Sequence, residues 1–180
     1  LVTFGGTDPG DLTALALGAL PRDLRVVVAL GPGYCHHSDA ELHARFGGRF
    51  QEFVVRREVR HMSELMLACD AAVTSCGRTI YELAACGLPM LCLPQNAWER
   101  AHVPNAARMA ALVVESRDPA AIQAALATLR QGKGVRMSGG GTHDFQIRLR
   151  DATLLKVSLT DNPSSPAASV QAVLTAINNT

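Results

Sequence analysis

"AAVTSCGRTIYELAACGLPMLCL", residues 71–93, holds two apolar runs with a helical pattern between them. Ala71–Thr74 is short and apolar, as a buried strand is. Thr79–Cys86 reads as a helix, and Pro89–Leu93 is apolar again. Both runs are continuously apolar instead of alternating, which suits strands of a parallel sheet covered on both faces. A strand, a helix and a second strand in that order predict a right-handed βαβ unit.

The same alternation extends in both directions. Toward the N-terminus the pattern predicts strands at Leu1–Phe4, Leu24–Leu30 and Arg49–Val55, and helices at Pro9–Leu20, Ser38–Phe46 and Met62–Ala68. Toward the C-terminus it predicts a helix at Ala97–Ala111, a strand at Leu112–Glu115 and a helix at Pro119–Arg130. Strands spaced by single helices over residues 1–131 imply a doubly wound α/β domain. After Gln131 the texture changes. Residues 132–144 form a Gly-rich linker, followed by an irregular tail, 145–180. The tail has strand-like runs at Phe145–Leu149 and Leu154–Leu159 and a helix-like run at Ala167–Ile177.

At 180 residues the chain is long enough to bury a real core, and hydrophobic residues make up 48% of it. No apolar run approaches the length of a membrane span. The net charge of +1 gives no bulk attraction to nucleic acid or anionic lipid. Five cysteines, at 35, 69, 76, 86 and 92, show neither a CxxC pair nor metal spacing. This odd, scattered set reads as free thiols in a cytoplasmic protein. The chain opens inside a strand and without Met, so it reads as a piece of something longer.

Three strand ends carry chemistry. Phe4–Thr13, "FGGTDPGDLT", has two glycines that allow a sharp turn, Thr7 or Asp8 as a cap, Pro9 at the first helical position and Asp11 in the capping-box place. Ser75, Cys76, Gly77, Arg78 and Thr79 end the next loop, with Glu82 one turn later. Leu93–Met109 brings Gln95, Asn96 and, further on, Asn105, amides whose donors and acceptors suit sugar hydroxyls. Each loop supports two readings. Backbone N–H groups at a helix N-terminus can hold a phosphate. The same residues are also ordinary helix caps: Thr79 and Glu82 have capping-box spacing, and Asn96 can cap the helix after it. Trp98, the sole tryptophan, is either core or a sugar platform. His36 and His37, in a loop without a carboxylate cluster, read as solvated, and no residue set has metal-ligand spacing. No Ser-His-Asp or Cys-His order supports a nucleophile.

The order GGTDP, then a Cys69-to-Pro89 core "CDAAVTSCGRTIYELAACGLP", then a Gln-Asn pair, resembles the C-terminal half of GT-B proteins of the glycosyltransferase family 28 type. The resemblance covers about residues 1–130. It is nearest to the UDP-sugar hydrolases of pseudaminic acid biosynthesis and their spore-coat polysaccharide relatives. It implies a Rossmann-like sheet and a UDP-sugar ligand, with no cofactor. It implies that Gly5, Gly6, Thr7, Ser75, Cys76, Gly77, Arg78 and Thr79 hold the diphosphate. Glu82 would hold the ribose, and Gln95, Asn96 and Asn105 would lie toward the sugar. Cys76 departs from the small residue that relatives have there. The resemblance also places the catalytic base in an N-terminal domain that this sequence lacks, so a missing domain or a partner chain would complete the active site. The same fold serves true glycosyltransferases, and a non-catalytic UDP-sugar-binding subunit is a further alternative. Ile147–Thr153, "IRLRDAT", resembles the first strand of a GNAT-type acetyltransferase, without its acetyl-CoA loop.

Overall fold

The computed structural model describes residues 1–130, 143–148 and 154–159. The chain divides into two units, Leu1–Arg136 and Met137–Thr180. The first alternates strand and helix: β1 (Val2–Thr3), α1 (Leu12–Ala19), β2 (Arg25–Leu30), α2 (Asp39–Phe46), a 3-10 turn (Gly47–Arg49), β3 (Glu52–Arg57), α3 (Met62–Leu67), β4 (Ala72–Thr74), α4 (Thr79–Ala85), β5 (Met90–Cys92), α5 (Ala97–Arg100), α6 (Val103–Arg108), β6 (Leu112–Val113) and α7 (Pro119–Arg130). Its six strands are all parallel, in the order β3-β2-β1-β4-β5-β6. This is the doubly wound, Rossmann-like α/β arrangement. β1 is central: Val2 pairs with Val28 of β2 on one side and with Val73 of β4 on the other. The chain winds outward from β1 to β3, then returns to the far side of β1. The strand order therefore reverses between β1 and β4.

Successive residues of a strand point to opposite faces, and here that divides the core in two. Val73, Leu91 and Leu93 join Leu17, Leu42, Phe46, Ile122 and Leu126 under α1, α2 and α7. Ala72, Met90 and Cys92 join Met66, Ile80, Leu83 and Ala106 under α3, α4 and α6. Strands covered on both faces must be apolar at every position, which is why residues 71–93 show no alternation. The short helices depend on this packing. Seven-residue α4 is too short to persist alone. Ile80 and Leu83 are fully buried, and each such side chain contributes roughly 1.5–3 kcal/mol.

Three elements differ from expectation, each for a local reason. α1 starts at Leu12, not Pro9, because Asp8 and Asp11 take left-handed backbone angles, φ 43° and 47°, that a helix cannot use. The helix expected at Ala97–Ala111 is two, α5 and α6, with Pro104 in the first turn of α6, where its missing N–H is harmless. β3 begins at Glu52 instead of Arg49, because the 3-10 turn takes up Gly47–Arg49. The helix expected at Pro119–Arg130 is α7 itself.

In the second unit, β7 (His143–Arg148) and β8 (Leu154–Leu159) form an antiparallel pair, from His143↔Leu159 to Arg148↔Leu154. The 132–144 linker thus overlaps β7 by its last residues. Most of that linker, the helix expected at Ala167–Ile177, and the acetyltransferase-like stretch beyond Arg148 lie outside the described residues. Among the described residues, no helix is long and apolar enough to cross a membrane.

Candidate functional site

Open α/β sheets bind ligands outside the carboxyl ends of their strands, where the strand order reverses. In this chain that place is framed by the loops after β1, β4 and β5.

The loop after β1 leaves Gly5, Gly6 and Thr7 exposed. Gly5 has φ +76°, which favours glycine. Asp8 is 2% exposed. Its two carboxylate oxygens accept from Leu12 N and Thr13 N, each at 2.8 Å. The cap expected at Thr7 or Asp8 is therefore Asp8, but it reaches further along the chain than a normal cap. Its own carboxylate occupies the N-terminus of α1, where an external phosphate was one reading. Burial raises the Asp8 pKa, opposed by the bonds from Thr13 and Leu12.

The loop after β2 clasps this one. Gly33 N donates to Gly6 O at 2.8 Å. Tyr34 donates its hydroxyl to Asp11 at 2.9 Å, and His37 Nε2 meets the other oxygen of Asp11 at 2.8 Å. His36 Nε2 donates to the Asp8 carbonyl at 2.8 Å. Both histidines read as solvated loop residues; His36 is exposed and His37 partly so, and both also tie two loops together. Burial, then the bond to Asp11, raises the Tyr34 pKa. Space between the loops is tight: a Cβ on Gly31 would lie 2.2 Å from Gly5 O.

The loop after β4 behaves differently. Ser75 and Cys76 are 4% and 0% exposed and face inward. Ser75 donates to Glu99 Oε1 at 3.0 Å. The Cys76 thiol meets that of Cys92, and this contact, with burial, pushes the Cys92 thiol up. Arg78 and Glu82 are exposed, and Thr79 is partly so. No side chain caps α4. The Thr79–Glu82 capping box does not form, because Thr79 is already helical and Arg78, at φ −65° and ψ −26°, is too. A cap would have to come from Gly77, which has no side chain. A Cβ at Gly77 would sit 3.2 Å from Glu99 Oε1 and 3.4 Å from Ser75 Oγ.

After β5, Gln95 Nε2 donates to Phe4 O at 3.0 Å, joining the ends of β5 and β1. Asn96 caps α5 by accepting from Glu99 N at 2.9 Å, as its position predicted. Asn105 is in α6, with Nδ2 3.5 Å from the Tyr81 hydroxyl. The structure thus brings Gln95 to the first loop and Ser75 to the third, while Asn105 stands against α4. Glu99 was not picked out from the sequence. It is 6% exposed and also accepts from Gln95 N at 2.8 Å. Asn96 and Glu99 have capping-box spacing, which was the available signal, but the Glu99 carboxylate turns inward to Ser75 and Gln95. Arg117 was also missed. It donates to the Pro94 carbonyl, and burial lowers its pKa.

Among the described residues, no group of three or more His, Cys, Asp or Glu side chains is placed to hold a metal. The exposed groups on the rim are thus backbone N–H groups, Arg78, Thr79, Glu82 and amides. Groups of these types can hydrogen-bond anions and hydroxyls.

No protein-family model matches the chain. Over 103 residues, 56% of its length, it is 31% identical to an uncharacterized protein of Methanocaldococcus jannaschii. It spans 21% of that relative's length.

Proposed function

We propose that this chain is the nucleotide-binding half of a UDP-sugar-processing enzyme, a UDP-sugar hydrolase acting at the anomeric C–O bond in bacterial nonulosonic acid or surface-polysaccharide synthesis. One observation carries the reading. Of the three helices that follow β1, β4 and β5, α1 is sealed by Asp8 and α5 by Asn96, while α4, beside the strand-order reversal, has no side-chain cap. In that turn Ile80 N and Tyr81 N donate to Gly77 O and Arg78 O, so the N–H groups that would meet a diphosphate, with the favourable helix dipole, are those of Gly77, Arg78 and Thr79. The exposed Gly5–Thr7 backbone would provide the opposite wall. Glu82, exposed one turn into α4, would accept hydrogen bonds from the ribose diol. Gln95, Asn96 and Asn105 would lie toward the sugar.

Helix and backbone dipoles of this kind stabilise charge on departing UDP, an electrostatic contribution to either hydrolysis or glycosyl transfer. Asp8 and Glu99, the buried carboxylates at the strand ends, are hydrogen-bonded within the fold. That favours a catalytic base from an N-terminal GT-B domain or a partner chain, and the isolated chain would then bind without turnover. The second reading, a non-catalytic UDP-sugar-binding subunit, rests on the same two carboxylates. The cysteines are free thiols, which supports a cytoplasmic setting.

Calorimetric titration with UDP, against ADP and GDP, tests the reading. Saturable binding selective for UDP is expected. Glu82→Ala should weaken it about tenfold or more, since a charged hydrogen bond is worth roughly 1.5–3 kcal/mol. A folded chain that binds no nucleotide, or binds all three alike, sinks the reading.

A further inference from the structure

Trp98 lies on α5 with 60% of its surface exposed, the most open of the large hydrophobic side chains described. Its surroundings hold it in place. Its ring lies 4.0 Å from that of His102, centroid to centroid, tilted by 42°. His102 Nδ1 contacts the Trp98 carbonyl at 2.8 Å, so the imidazole is fixed to the backbone that carries the indole. The next residue, Glu99, is bonded to Ser75 and to Gln95 N, which fixes α5 against the ends of β4 and β5. One helical turn on, Asn105 N donates to His102 O at 2.9 Å. Asn105 then reaches Tyr81, 44% exposed and adjacent to Glu82. Two open aromatic rings and an imidazole, with the Asn105 amide between, thus run from α5 to α4.

We infer that Trp98, supported by His102, is a stacking platform for the pyranose ring of the ligand's sugar. The inference rests on the nucleotide-sugar reading and names the group that takes up the sugar. A pyranose presents an apolar C–H face and a rim of hydroxyls. A flat indole fits the first, and amides such as Asn96 and Asn105 fit the second. An indole is wide and amphipathic, and it has few rotamers to lose on binding. The His102 contact restricts it further, so little ordering remains to oppose binding. Exposure of this degree excludes the core role that the sequence left open.

Trp98 is also the sole tryptophan, so its fluorescence reports on the platform directly. The test titrates the full chain with UDP and with UDP-N-acetylglucosamine, UDP-glucose and UDP-galactose, following Trp98 emission and, in parallel, heat. At least one UDP-sugar should bind about tenfold more tightly than UDP and change the emission, whereas UDP alone should leave the emission nearly unchanged. Trp98→Ala should remove that sugar increment and leave UDP affinity as it was, Trp98→Phe should keep part of it, and His102→Ala should reduce it. An exposed side chain can be removed without unfolding the protein, and the retained UDP affinity confirms this in each variant. If Trp98→Ala weakens UDP and UDP-sugar equally, the indole stacks on the base and the inference fails. It fails also if the variant changes neither, or if no UDP-sugar binds more tightly than UDP. Absence of any UDP binding overturns the nucleotide reading instead.

Discussion

A single carboxylate at Asp8 takes both leading N–H groups of α1, and its replacement separates charge from acceptor. Asp8→Ala leaves Leu12 N and Thr13 N without a partner and should cost about 1–3 kcal/mol. Asp8→Asn keeps one acceptor and no charge, and should stay within about 1 kcal/mol of wild type at neutral pH. The sign of the pH dependence follows from the raised pKa. A carboxyl raised in the folded state contributes stability that is complete below its unfolded pKa and lost as pH rises through the folded value. The margin of wild type over Asp8→Asn should therefore be widest in acid and narrow toward pH 7. Urea unfolding of the three proteins across that range checks this. Asp8→Asn as costly as Asp8→Ala at pH 7 would show that the charge, not the acceptor, holds the helix. Residue types alone marked Thr7 or Asp8, and Asn96, as caps. They gave no sign that Asp8 would skip to Leu12, or that Glu99 would turn inward. The first goes with the left-handed backbone at Asp8 and Asp11, which residue types do not announce, and the second depends on a long-range partner, Ser75.

At the scale of elements, the loops after β1 and β2 act as one piece. Four hydrogen bonds join them, from Gly33, Tyr34, His36 and His37, and glycines let the backbones meet. Gly31→Ala places a methyl group on Gly5 O, with main chain on both sides and no flexible side chain to yield. It should cost about 1–3 kcal/mol and weaken the proposed UDP binding together with stability, read by thermal unfolding and titration of the same sample. A stable variant with intact affinity would show that the loops can part. Helix and strand positions were legible because apolar runs and helical faces leave a period in the sequence. Where α5 stops and α6 begins was marked too, by Pro104, which has no N–H to continue the α5 ladder and sits in the first turn of a new helix; the single helix expected at Ala97–Ala111 passed over that signal.

For the whole molecule, the alternation of strand and helix over 130 residues was enough to read a doubly wound sheet, since right-handed crossovers leave few topologies open. Residues 1–136 hold both core layers and form a unit of their own. Expressed alone they should unfold in one cooperative transition by circular dichroism, and a broad, sloping transition would mean that this unit is not self-sufficient. The lack of a side-chain cap on α4 matters at this scale too. A helix that lacks a cap forgoes about 1 kcal/mol, and a bound anion would restore it. Laboratory evolution for heat resistance alone would favour variants that fill this gap with a side chain of their own. If α4 holds the diphosphate as proposed, such variants gain melting temperature and lose ligand in step, so the hottest survivors of such a screen should be the poorest binders.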